Sequence, residues 1–200
     1  MTLREDAETI MQKAIRASLP DAAVAKALEH KEFGTGKIVV VAIGKAAWQM
    51  AKTAVGILDG RISAGIVITK YGHSKGELAP LEIWEAGHPV PDENSLKATQ
   101  RAIELVRDLT ERDTVLFLIS GGGSALFEKP LISLKELQDI TSDLLASGAD
   151  IVSMNTVRKR LSSVKGGKFA RLCAPAHVYA IVLSDIIGDP LDMIASGPAY

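Results

Sequence analysis

The residues able to act on a charged small molecule sit in short glycine-containing turns. Ser120-Gly121-Gly122-Gly123-Ser124 is the densest. Three consecutive glycines cost more conformational entropy than a turn requires. What they gain is close approach of backbone N–H groups to a ligand. Such amides opening into a helix form an anion site, and the Ser120 and Ser124 hydroxyls add donors. Gly44-Lys45 is a second turn. A lysine at the start of a helix opposes the helix dipole, so a bound anion accounts for Lys45 better than local structure does. Asp185 and Asp189 occupy a third loop, Ser184–Pro190. Two carboxylates beside phosphate suit a hard cation such as Mg²⁺, with Asp185 alternatively a general base. One or two of the cations in Lys165-Gly166-Gly167-Lys168 and in Arg158, Lys159 and Arg160 could clamp a carboxylate or phosphate, Lys165 first among them, although together they also read as a solvated helix face. His88, between Gly87 and Pro89, either meets a substrate or fixes its turn. His30, His177 and Cys173 read as structural, the cysteine as a small buried hydrophobe.

These turns have positions because of the elements before them. Lys37–Ile43 and Thr114–Ser120 are continuous apolar, β-branched runs, as in strands buried on both faces. Gly65–Thr69 and Val178–Ser184 are two more. Leu81–Ala86 alternates and suits an edge. Helical spacing predicts helices over the first thirty residues (broken at Pro20-Asp21), over 45–58, over 93–109, and over 133–146, where Ser133 and Glu136 form a capping-box pattern. A further helix over 151–172 is broken near Gly166-Gly167. Strands alternating with helices predict an α/β fold, a Rossmann-like parallel sheet with helices on both faces. Parallel strands put their C-terminal ends on one edge, where such sheets bind ligands. The three turns would therefore meet there.

Composition narrows the function. The chain has 200 residues, 47% hydrophobic and 24% charged, with 23 basic and 24 acidic residues and one cysteine. That describes a globular domain with a core of its own. A net charge of −1 gives no bulk attraction to nucleic acid or an anionic membrane. Apolar runs fall far short of the ~20 residues that cross a bilayer. The charged start Met1–Asp6 lacks a signal-peptide core, so the expected location is cytoplasmic. G-x-x-x-x-G-K-[ST] and G-x-G-x-x-G are both absent.

Seven motifs occur in order: Val41–Ala47 (VAIGKAA), Lys70–His73 (KYGH), Ala86–Asp92 (AGHPVPD), Leu118–Ser124 (LISGGGS), Asn155–Lys159 (NTVRK), Val164–Lys168 (VKGGK), and Leu183–Asp185 (LSD) continuing to Ile194–Pro198 (IASGP). On these the chain resembles the class II glycerate kinases, also called glycerate 2-kinases or the MOFRL family, from end to end. The resemblance implies an N-terminal Rossmann-like domain over residues 1–200. A second, C-terminal domain, absent from this chain, would complete the cleft. It also implies phosphoryl transfer from ATP, with Mg²⁺, to D-glycerate, giving 2-phosphoglycerate. Lys45 and Asp185 match residues implicated in catalysis, and the Ser120–Ser124 loop would cradle substrate or phosphate. The implied partners are the small substrate and the nucleotide, with self-association allowed. Two alternatives stand beside it: a hydroxypyruvate reductase on the same carbon skeleton, and a non-catalytic anion-binding or oligomerisation fragment.

Overall fold

The computed structural model describes residues 2–200. Its elements in chain order are α1 (Leu3–Ala17), α2 (Asp21–Glu29), β1 (Ile38–Ile43), α3 (Ala47–Ile57), β2 (Ile62–Lys70), β3 (Leu81–Ala86), α4 (Glu93–Val106), β4 (Thr114–Ser120), α5 (Gly123–Leu126), α6 (Leu134–Ala146), α7 (Ile151–Arg160), α8 (Lys168–Leu172) and β5 (His177–Leu183), followed by a 3₁₀ turn at Ile194–Ser196. The strands form one parallel sheet in the order β3-β2-β1-β4-β5. The chain runs outward from β1 to β3, then restarts on β1's other side with β4. The switch point therefore lies between the C-terminal ends of β1 and β4, where open α/β sheets bind ligands.

Period-two alternation splits the apolar strands between two cores. Val39, Val41, Ile43, Val115, Phe117 and Ile119 face α4, α5 and α8, where Ala98, Ala102, Phe127 and Phe169 meet them. The Phe117, Phe127 and Phe169 rings pack with centroids 4.9–5.9 Å apart, in the tilted geometries that ring quadrupoles favour. Val40, Ala42, Leu116 and Leu118 face α2 and α3, against Val24, Leu28, Met50, Ala51 and Ala54. β1 and β4 are buried at every position. β3 is an edge strand with its middle half-covered, and Arg101 grips Glu82 there at 2.7 Å. β5, the other edge, is nowhere fully buried.

Several elements differ from their expected bounds. α3 starts at Ala47, so Lys45 lies in the turn ahead of the helix. β2 begins at Ile62 because pairing with β1 extends past the apolar run. The stretch 151–172 is two helices separated by 161–167, a longer break than the glycine pair alone suggested. The Ser133 capping box is present as expected. α1 has a capping box between Thr2 and Glu5 yet buries no side chain, so its apolar stripe does not serve this core.

Candidate active site

The turns after β1 and β4 are stitched together. The Lys45 N–H donates to Gly121 O at 2.9 Å. The Ser120 hydroxyl donates to Ile43 O and accepts the Ala46 N–H, both at 3.1 Å. Thr69 Oγ1 adds a hydrogen bond to Gly44 O at 3.0 Å, and the His73 Nδ1–H donates to Lys45 O at 3.1 Å. Lys45 is thus fixed at its backbone while its side chain is exposed.

Beyond Ser120 the chain turns through Gly121 and Gly122 into the single helical turn of α5. The N–H groups of Gly121, Gly122, Gly123 and Ser124 donate no hydrogen bond within the described residues. Gly122 has φ +89°, and a Cβ there would come within 3.0 Å of the His88 ring and 3.2 Å of Lys45 Cγ. A Cβ on Gly121 would fall on the Asp185 carboxylate. Both glycines are therefore required by close approach, and Gly122 by its backbone conformation as well. They let Lys45, His88 and Asp185 converge on bare amides.

A cleft of about 320 Å³ opens over this loop. His88, Gly121, Gly122, Ser124, Asn155, Arg158, Asp185 and Ala195 contribute to its walls. Lys45 reaches the cleft only through its approach to Gly122 and lines a neighbouring hollow with Trp48, Gln49, His73 and Lys75. Burial pushes the His88 imidazole below the usual histidine range, and the positive charges of Lys45, Lys70 and His73 push it the same way. That cationic surround suits an anion. An acidic side chain against an anion-binding loop is adverse unless a proton or a cation stands between them.

Three of the residues predicted from sequence lie elsewhere. Ser120 is buried, with its hydroxyl spent on the β1–β4 stitch. Lys165 is fully buried: its ammonium lies 2.8 Å from Glu128 Oε2 and donates to Ser124 O at 2.8 Å and Phe127 O at 3.0 Å. It shapes the loop from beneath and offers nothing to a ligand. Burial holds its pKa below the lysine range, with the Glu128 charge opposing. Asp189 is exposed at φ +49°, off the cleft wall. The proposed carboxylate pair is reduced to Asp185. The four-residue α5 also carries little macrodipole, so the loop's amides, not a helix terminus, supply its positive face.

Sequence reasoning gave no role to Asn155 or Ser196 and left Arg158 as one of several cations able to clamp an anion, behind Lys165; the structure puts Arg158 in the cleft lining. Asn155 and Arg158 are three apart on α7 and so share a face, a signal that was available. Ser196 Oγ lies 2.8 Å from Ser124 Oγ and 3.5 Å from Asn155 Oδ1. Its backbone and that of Ala195 are left-handed, φ 62° and 51°, a conformation that costs a non-glycine residue about 1–3 kcal/mol.

No cluster of three or more His, Cys, Asp or Glu side chains able to hold a metal exists among the described residues. One carboxylate facing a phosphate-sized cleft fits a Mg²⁺ that arrives with phosphate oxygens, not one caged by protein.

The fold and site define a doubly wound α/β domain with a glycine turn of unpartnered amides at its switch point. Residues 6–200 match a family described as a domain of unknown function, DUF4147, and the chain belongs to it. It is 56% identical to the D-glycerate 2-kinase of Thermotoga maritima across 100% of this chain and 48% of that protein. A putative hydroxypyruvate reductase of Agrobacterium vitis is 40% identical, over 99% of this chain and 45% of that protein. The crystal structure of a Thermotoga maritima glycerate kinase superposes with a TM-score of 0.90 at 55% identity, covering 99% of this chain and 48% of that one. The chain spans about half the length of the curated relatives it matches. The resemblance to glycerate 2-kinases carried by the seven motifs therefore extends along its whole length.

Proposed function

We propose that this domain forms one wall of the active site of an ATP-dependent glycerate 2-kinase. The observation that carries the reading is the meeting of Lys45, His88 and Asp185 on the bare amides of Gly121–Gly123 at the switch point. Phosphoryl transfer needs positioning and charge neutralisation more than covalent help from the protein. The acceptor's 2-hydroxyl oxygen attacks the γ-phosphorus of ATP. A new P–O bond forms as the bond to the β,γ-bridging oxygen breaks, and ADP leaves. Asp185 orients the hydroxyl and takes its proton. Lys45 neutralises charge on the transferring group, and the loop amides with Ser124 hold its oxygens. His88, kept neutral, is a hydrogen-bonding partner without a further full charge. Mg²⁺ bound to the nucleotide would neutralise its phosphates, with Asp185 the protein carboxylate nearest to hold it. In relatives about twice this length, the remaining polypeptide would supply the facing wall. No helix among the described residues is long and apolar enough to cross a membrane; we place the reaction in the cytoplasm, where ATP is available.

The test is ³¹P NMR of the intact gene product with ATP, Mg²⁺ and D-glycerate. The expected product is 2-phosphoglycerate, and Lys45→Ala and Asp185→Ala each lower kcat by at least about 100-fold. Near-normal turnover in both variants overturns the assignments. Hydroxypyruvate reduction with NADH is not expected, because the turn after β1 offers the single glycine Gly44 where dinucleotide-binding sheets place G-x-G-x-x-G. Ligand binding without turnover would favour a non-catalytic module.

A further inference from the structure

The buried charges beneath the glycine loop do not balance. Lys165 and Glu128 are both fully buried and paired at 2.8 Å, and Lys165 Nζ meets two carbonyls besides. Its charge is answered. Arg158 is the second cation packed there. Its Nη2 donates to Ser124 O at 3.3 Å, the carbonyl that Lys165 also holds, and its Nε is buried with no partner. Burial lowers the Arg158 pKa, and the already committed Glu128 raises it only in part. One guanidinium with no ion-pair partner among the described residues therefore stands at the loop's flank, across the cleft lining from Asp185. A guanidinium with an unmade buried hydrogen bond is costly in isolation. An anion in the cleft would answer the charge, although the Nε, with no exposed surface, stays out of its reach.

The neighbours fit one kind of anion. Arg158 shares its part of the cleft with Asn155, Ser124 and Ala195. Ser196 ties Ser124 to Asn155 there, from a left-handed backbone. A guanidinium matches the two oxygens of a planar carboxylate in fork geometry, whereas a lysine acts as a point charge. Lys45 stands on the far side of Gly122, next to His88. A 2-hydroxy acid has two ends that need different partners: a carboxylate, and a hydroxyl next to a proton acceptor. The fork, Arg158, and the acceptor, Asp185, line the same cleft.

We propose that Arg158, aimed by the Ser124 carbonyl and flanked by Asn155 and the Ser124–Ser196 hydroxyl pair, binds the carboxylate of the phosphoryl acceptor. The end of α7 thereby selects 2-hydroxy carboxylates over uncharged polyols. The inference rests on the kinase reading above for the identity of its ligand. Lys165 and Glu128 act as positioning residues, holding the carbonyl on which Arg158 is aimed.

The experiment uses the intact gene product. D-Glycerate binding is measured by calorimetry without nucleotide, and KM for D-glycerate and for ATP by steady-state kinetics, for wild type, Arg158→Lys and Arg158→Gln. The expected result is a glycerate KM raised at least about 30-fold in both variants. KM for ATP stays within about 3-fold and the thermal unfolding midpoint is unchanged. Glycerol, which lacks the carboxylate, is expected to be an equally poor acceptor for wild type and variants. If Arg158 variants do not fold, Asn155→Asp serves: a carboxylate placed beside Arg158 competes with the ligand and raises the glycerate KM alone. An unchanged glycerate KM, or a raised ATP KM with glycerate unaffected, overturns the subsite. Glycerate bound by wild type through Arg158 but not phosphorylated would sink the kinase reading and leave the subsite standing. No glycerate binding by wild type would sink both.

Discussion

His88 is where the electrostatics of the site can be read most directly. Its imidazole is depressed first by burial and then by Lys45, Lys70 and His73. The unfolded chain takes up a proton near pH 6.5, where the folded chain does not. As pH falls below about 6.5, through the folded value, His88 therefore subtracts from stability. An anion in the cleft offsets the surrounding positive charge and raises the imidazole pKa, so binding is coupled to proton uptake. NMR titration of the His88 ring should give a midpoint below 6.5 in the free protein and a higher one in inorganic phosphate. A midpoint unmoved by phosphate would mean that the anion sits away from the His88–Gly122 contact.

Among the elements, the turn after β4 tolerates change least. Ser120 anchors it to β1, Gly121 lies against Asp185, and Gly122 combines φ +89° with 3.0 Å and 3.2 Å approaches to His88 and Lys45. Gly122→Ala adds backbone strain of about 1–3 kcal/mol and forces apart the two side chains that flank the amides. Denaturant unfolding should show that loss, and calorimetry the loss of phosphate binding. Gly56→Ala is the contrasting substitution. It lies in α3 with nothing within 4 Å of the added methyl, so helix propensity predicts a gain of up to about 1 kcal/mol. Equal effects at the two positions would refute the account of the loop.

At the scale of the whole molecule, Lys165 and Glu128 join the 161–167 connection to α5 under the site. Removing one member of such a pair leaves a buried charge unanswered, at about 3–5 kcal/mol. Lys165→Met should therefore lower the unfolding free energy by that amount, and Lys165→Met with Glu128→Gln should recover part of it. A single variant as stable as wild type would show that the pair is not closed off from water. Activity should fall with the loop's order even though neither side chain touches a ligand.

Sequence alone determined what depends on near neighbours in the chain. Hydrophobic runs and alternation specified the five strands and their parallel sheet, Ser133 and Glu136 a helix start, and the strand-end rule the meeting of Lys45, Gly121–Gly123 and Asp185. Even Ser120 was partly legible, because it shares the parity of Leu116 and Leu118 and so points with them toward α3. Tertiary structure alone decided which cation faces the cleft. Lys165 and Arg158 are both basic residues in one polar stretch, and nothing local separates them. The fold of 161–167 turns Lys165 inward onto Glu128 and leaves Arg158 at the loop with no ion-pair partner among the described residues. Burial and charge pairing are set by segments distant in sequence, and periodicity carries no information about them.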